Sequence, residues 1–286
     1  MRDSILKFLK KKLSSKVPLF DKKNFKKKFQ KGHFKNFSKQ ALDLNKYGFC
    51  VLKIEDPKWL IYIDQVKDDL KSFIDSIELG KSKQDRFQDA WQNENIQSVR
   101  KIACHPTILE ALKTIYGRKP FPFQTLNFSS GSQQHFHSDA VHFSSDPLGF
   151  MCGAWVALED ISPESGPLIY YPGSHRLPYL DAQKLNLNIE ELKKEKHPQI
   201  FFDKFWEDLV EENKFKKSIY LPKKGEVLIW HANLLHGGSK VLDNSKSRWS
   251  QVTHYYFENC EYYTPLFKAV GATEKDFKRT PANLLL

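Results

Sequence analysis

Cysteine is scarce in this chain: Cys50, Cys104, Cys152 and Cys260 are the only four in 286 residues, with no CxxC pair and no zinc-finger spacing. That scarcity argues against a disulfide framework and points to reduced thiols in a cytoplasmic compartment. Long apolar runs are missing too. No stretch approaches the twenty residues a membrane span needs, and the opening MRDSILKFLKKKL has too short an apolar core and too many lysines for a secretory signal. Internal repeats and a glycine-rich loop able to cradle phosphate are likewise absent. The two methionines leave the core little soft filler, whereas the 22 phenylalanines suit packed sheets.

Net positive charge is absent from most of the molecule. Residues 1–40 hold 13 lysines and one arginine against Asp3 and Asp21, a net of +12; the whole chain is +11, so residues 41–286 carry −1. A nearly neutral body argues against a nucleic-acid-binding catalytic face. The basic segment 1–40 reads as an N-terminal arm, in which Ile5, Leu6, Phe8, Leu9 and Leu13 form a rough helical stripe opposite the lysines. Such a basic amphipathic helix suits an anionic membrane surface, at about 1 kcal/mol per lysine, which would make a cytoplasmic protein peripheral to the membrane. The competing reading is a solvated helix whose stripe packs on the body.

The chemistry gathers at His137-Ser138-Asp139, answered about a hundred residues later by His236 in WHANLLHGG. An imidazole and a carboxylate two apart on an extended segment project to the same side, and a second imidazole from a distant strand completes one face of an octahedron. Two histidines and one carboxylate with open positions suit non-haem Fe(II). HxD alone is weak, because a chain with ten histidines meets it by chance. Arg248 adds weight. The run GGSKVLDNSKS before it reads as a hairpin bend that returns Arg248 beside His236, where a guanidinium could hold a carboxylate chelated to the metal. His135 and His142 are weaker ligand candidates, and His231, five residues before His236, faces the wrong way on a regular strand.

The surrounding elements read as strands backed by helices. Gly48 marks a turn into the strand FCVLKI, PKWLIYIDQVKDDLKSFIDSIEL is a long helix backing the sheet, and residues 84–100 read as a loop over the site. HPTILEALKTIYG is a second helix that stops at Gly117. On the strand FQTLNF, alternation puts Gln124 and Asn127 on opposite faces, so only a bulge would admit both; without one Asn127 is preferred. MCGAWVAL and LIYYPGSH follow as buried strands, then a polar helical excursion at about 181–217, then two strands around a Lys-Lys-Gly turn that deliver His236. Excursions of this kind often carry substrate selectivity.

The ordered set of HxD, Trp155, GPLIYYPGSH (166–175), GEVLIWHANLLHGG and Arg248 resembles the phytanoyl-CoA dioxygenase family of iron- and 2-oxoglutarate-dependent oxygenases. The resemblance runs from about Tyr47 to Phe257. It implies a mainly β fold with flanking helices, a double-stranded β-helix (jelly-roll, cupin-like) core, filling 41–286 as one domain. It further implies that His137, Asp139 and His236 ligate Fe(II), that Arg248 binds the distal carboxylate of 2-oxoglutarate, and that Trp155, Gln124 and Asn127 lie near this cosubstrate. Many members carry Ser or Thr two residues after the distal histidine; this chain has Gly238, and Ser239 would supply the hydroxyl if the turn holds one extra residue. His175 and Arg176 become candidates for substrate contact. The activity implied is hydroxylation of a small organic or conjugated metabolite by O2, with release of succinate and CO2. Two other readings stay open: a cupin-type barrel using another metal or cosubstrate, and a membrane-peripheral barrel without turnover.

Overall fold

The computed structural model describes residues 16–77 and 86–286. Twelve strands are assigned among them: β1 (Phe49–Leu52), β2 (Arg86–Gln88), β3 (Pro120–Phe128), β4 (Ser144–Asp146), β5 (Met151–Ala157), β6 (Leu168–Tyr170), β7 (Ser218–Tyr220), β8 (Val227–His231), β9 (His236–Gly238), β10 (Ser250–Phe257), β11 (Glu261–Tyr263) and β12 (Lys278–Arg279). A six-stranded antiparallel sheet has the order β1-β8-β5-β10-β3-β2, and a smaller sheet has the order β7-β6-β9. The smaller sheet gains a further edge from residues 134–138, since His137 and His236 exchange both backbone hydrogen bonds at 2.9 and 3.0 Å. From β5 to β10 successive strands alternate between the two sheets except at β6 and β7, which pair with each other in the small one. This is the jelly-roll arrangement that closes edges by facing one sheet on another.

That alternation corrects the hairpin expected at GGSKVLDNSKS. β9 belongs to the small sheet and β10 to the large one, so the segment between them crosses the barrel and Arg248 does not return beside His236.

Burial on both faces explains the unbroken apolar run of β5. Cys152, Ala154 and Val156 pack outward on helices, while Trp155 and Ala157 face the barrel interior with Leu168, Leu228 and Val252. The outer layer consists of the helices at Trp59–Ile77, Gln97–Ala103 and Pro106–Tyr116, whose Ile63, Val66, Val99, Ile102, Leu112 and Ile115 share that outer core. The last of these helices has a legible start and stop. His105 Nδ1 accepts from the Thr107 amide, proline follows at the first position, and Gly117 closes the end in the left-handed conformation at φ 76°.

Two further expectations are amended. Residues 84–100 are largely regular where described: β2 pairs with β3, and a helix begins at Gln97. Residues 16–40 do not stand apart from the body, because Phe20, Phe25 and Phe34 are buried in the outer core and Phe20 sits edge-on to Tyr116 at 5.0 Å. The stripe from Ile5 to Leu13 lies outside the described residues. The excursion forms two helices, Ile189–Lys194 and Ile200–Glu212, anchored by Ile189, Leu192, Phe202 and Trp206 against Tyr171, Leu235 and Leu266. No helix among the described residues is long and apolar enough to cross a membrane.

Candidate active site

His137 is extended, paired to His236 across the small sheet, whereas Asp139 opens a single 3-10 turn (Asp139–Val141) capped by the Ser138 hydroxyl, which accepts from the Ala140 amide. The turn still aims Asp139 at the two imidazoles. His137 Nε2 lies 3.6 Å from Asp139 Oδ1, His236 Nε2 lies 3.7 Å from Oδ2, and the three ligand atoms fall within 4.8 Å of one another. Bonds of about 2.1 Å at right angles place neighbouring ligand atoms about 3 Å apart, so one divalent ion fits this set with a slight contraction.

The protonation pattern also suits a metal. His137 Nδ1 donates to the His135 carbonyl at 2.9 Å and His236 Nδ1 to the Leu234 carbonyl at 3.0 Å, which leaves each Nε2 lone pair facing Asp139. Burial pushes the His236 pKa down to about 4, with Asp139 opposing in part. Burial also resists protonation of His137, but the hydrogen bond and charge of Asp139 outweigh it and raise this pKa. Burial alone would raise Asp139; His236, His137 and His254 around it reverse that and hold the carboxylate well below its usual range.

Across the barrel Arg248 is 2% exposed, yet no carboxylate of the described residues pairs with it. Its Nε has no partner, and its one side-chain hydrogen bond is a long 3.5 Å contact from Nη2 to the Ser130 carbonyl. The guanidinium lies between the rings of Phe128 and Trp155, at 5.6 and 5.9 Å. Burial lowers its pKa to about 10, which keeps it charged at neutral pH. A buried cation without a counter-charge is costly, and a dianionic ligand would offset that cost. Arg248, Trp155 and the His137–Asp139–His236 set line one cavity of about 540 Å³.

A family model described as phytanoyl-CoA dioxygenase (PhyH) matches residues 44–248. The chain belongs to the phytanoyl-CoA dioxygenase family. Among curated proteins it is similar to phytanoyl-CoA dioxygenase domain-containing protein 1 of Mus musculus, 32% identical over 82 residues, 27% of this chain and 28% of that one. The Danio rerio protein of the same name is 51% identical over 39 residues, 14% of this chain and 13% of that one. The matched segments thus span about a quarter or less of those relatives' length. Among solved structures, EctD from S. alaskensis with bound Fe superposes with a TM-score of 0.62 at 17% identity, covering 86% of this chain and 85% of that one. The non-haem alpha-ketoglutarate-dependent carbocyclase SnoK gives a TM-score of 0.58 at 17% identity, covering 78% and 85%. Identities this low speak for the shared double-stranded β-helix fold.

Within this phytanoyl-CoA dioxygenase fold the other expected residues divide. Gln124 lines the cavity, but Asn127 does not. β3 pairs in unbroken register with β10 from Gln124↔His254 to Phe128↔Ser250, so only one of the two faces inward, and Asn127 instead donates to Gln251 at 3.2 Å on the helix side. Preference for Asn127 is therefore reversed; the bulge that exists falls at Phe123, before Gln124. Ser239 is outside the cavity, donating to the Pro167 carbonyl at 2.8 Å. A side chain at Gly238 would meet Ser132 Oγ at 2.6 Å and the Gln133 amide nitrogen at 2.8 Å, which explains the glycine. His135 is drawn off by Glu207 at 3.1 Å, and His142, held neutral with a pKa near 4 by burial, bonds Gln199 at the cavity wall. His175 and Arg176 hold the Asn45 carbonyl, away from the cavity, and His231 faces Tyr179.

Two residues that sequence reasoning left without a role sit against Asp139. Trp230 Nε1 donates to Asp139 Oδ2 at 2.7 Å, and His254 Nε2 lies 3.5 Å from the same oxygen while its Nδ1 donates to Gln124 Oε1 at 3.0 Å. A signal existed. Both lie an even number of residues from an inward-facing neighbour, Trp230 from Leu228 and His254 from Arg248, but parity names a face and not a partner.

Proposed function

We propose that this protein is a 2-oxoglutarate-dependent non-haem iron dioxygenase that oxidises a C–H bond of a small organic or conjugated metabolite with O2, releasing succinate and CO2. The observation that carries the reading is a charged, buried guanidinium, with no counter-charge among the described residues, facing a two-histidine, one-carboxylate set across a single cavity. In this reading His137, Asp139 and His236 hold Fe(II), which supplies the activation of O2 and the oxidative decarboxylation of the cosubstrate. Arg248 binds the distal carboxylate of 2-oxoglutarate, Trp155 and Phe128 flank that guanidinium, and Gln124 reaches the same chamber.

The protein's own residues supply position and exclusion of water. Trp155, Leu168 and Val252 seal the floor, while Pro198, Gln199 and Ile200 of the excursion form part of the wall. Gln88, Gln124, Gln134, His142 and Gln199 line the remaining space, which suits a substrate bearing hydrogen-bonding groups. The test is succinate formation from 2-oxoglutarate by the purified full chain on addition of Fe(II), with loss of that formation in Asp139→Ala and His236→Ala. No Fe(II)-dependent succinate above the level of those variants would reject the reading.

A further inference from the structure

In the large sheet one cross-strand row reads Trp230–Gly153–His254–Gln124, set by the registers Gly153↔Trp230, His254↔Gly153 and His254↔Gln124. Trp230, His254 and Gln124 line the cavity. A Cβ at Gly153 would stand 2.4 Å from Cε2 and Cζ2 of Trp230 and 2.8 Å from its Nε1. Only a bare backbone at 153 lets the indole lie across the strand. From there it reaches Asp139 Oδ2 at 2.7 Å, with its ring 4.6 Å from that of His236.

This is a buried charge-assisted hydrogen bond: Trp230 is 1% exposed and Asp139 4%. The indole N–H can only donate, so it fixes which atoms of the carboxylate are engaged and does so regardless of proton supply. A carboxylate free to rotate can chelate a divalent ion through both oxygens and consume a coordination position. With one oxygen tied to Trp230, chelation is disfavoured and ligation through a single oxygen is retained.

We propose that Trp230 is a positioning residue that holds Asp139 to one-oxygen ligation of the metal, and that Gly153 is retained because it admits the indole to that place. The proposal rests on the metal site put forward above. It goes beyond it by naming what keeps the remaining coordination positions open.

The experiment uses the purified, metal-stripped full chain titrated with Co(II), whose visible absorption reports coordination number, in the wild type, Trp230→Phe, Gly153→Ala and the double variant. Circular dichroism checks folding, and Gly153→Ala keeps the test alive if Trp230→Phe does not fold. Trp230→Phe keeps an aromatic ring beside His236 without the donor, and Gly153→Ala keeps the donor but moves the ring. Both are expected to weaken Co(II) binding about 10–100-fold, the usual cost of removing a partner that orients a ligand. Both should also change the Co(II) spectrum in the same sense, and the double variant should be no worse than the weaker-binding single one, since both remove the same bond. Folded variants with wild-type affinity and spectrum would overturn the proposal, as would weaker binding with an unchanged spectrum, which would assign Trp230 to packing alone. A wild type whose Co(II) binding is absent, or is unaffected by Asp139→Ala, would instead overturn the metal site itself.

Discussion

Replacing Arg248 by methionine should separate cosubstrate binding from metal binding. Methionine approximates the volume of the aliphatic stem, so the Phe128–Trp155 slot stays filled while the charge goes. In the ligand-free protein the guanidinium makes one long hydrogen bond and no ion pair among the described residues, so its removal should leave thermal stability unchanged or slightly raised. With 2-oxoglutarate bound, a two-pronged contact to a carboxylate is worth about 3 kcal/mol, or about 100-fold in affinity. Thermal shift in the presence of Mn(II) and excluding O2 reads this directly. At a concentration 100 times the wild-type Kd, ligand stabilises by about 2.7 kcal/mol; after a 100-fold loss the same concentration gives about 0.4 kcal/mol. At roughly 2–4 °C per kcal/mol, a shift of about 5–10 °C should fall to about 1 °C. Mn(II) affinity should stay within a factor of about three, because Arg248 touches none of the three side chains proposed to hold the metal. An undiminished 2-oxoglutarate shift in Arg248→Met would show that the guanidinium does not receive the cosubstrate.

Three other expectations follow from the same geometry. Metal binding should release a proton near neutral pH, because Asp139 raises the His137 pKa above 6.5 while burial keeps His236 neutral down to about 4. Affinity should therefore rise with pH until His137 is deprotonated and then level off, and calorimetry in buffers of different ionisation enthalpy would count the proton. Away from the site, burial depresses His175 to about 3 and His231 to about 4. Their stabilising contribution is full above the unfolded value of 6.5 and is lost as pH falls towards 4, about 1.4 kcal/mol per histidine between pH 7.5 and 5.5, so these two should account for about 2–3 kcal/mol of the stability lost over that range. The double variant His175→Asn, His231→Asn should flatten that slope. Gly237→Ala would press a methyl within 2.7 Å of the Gln134 carbonyl and 2.8 Å of Phe136 Cα, prising residues 134–138 from β9. A loss of about 1–3 kcal/mol in chemical denaturation and weaker metal binding are expected; wild-type values for both would contradict the close approach.

The residues the sequence made legible are those whose signal is local or periodic. Helix limits at His105 and Gly117, the buried run of β5 and the inward face shared by Arg248, Val252 and His254 all follow from caps and alternation. The pairing of His137 with His236 was open to inference because residue type and order constrain it. Sheet membership was not legible: nothing in GGSKVLDNSKS distinguishes a hairpin bend from a crossing between sheets, since both need a polar, turn-forming run. Choosing Asn127 over Gln124 failed for a related reason, because the inward face of β3 is decided by its register with β10, a strand more than a hundred residues away. The Trp230 contact depends on a glycine 77 positions earlier in the chain, and no local pattern announces it.

The triad hangs on the rim of the small sheet, while Arg248 hangs on the rim of the large one. What separates them is the cavity, walled by Trp155, Leu168 and Val252, which pack with Leu228. That wall acts as a caliper: it fixes the gap that a bridging diacid would span, so discrimination between five carbons and four or six would be written largely in hydrophobic side chains, Trp155 beside the guanidinium among them. Thinning the caliper at Leu168 or Val252 would change which diacid spans it before it changed anything at the metal.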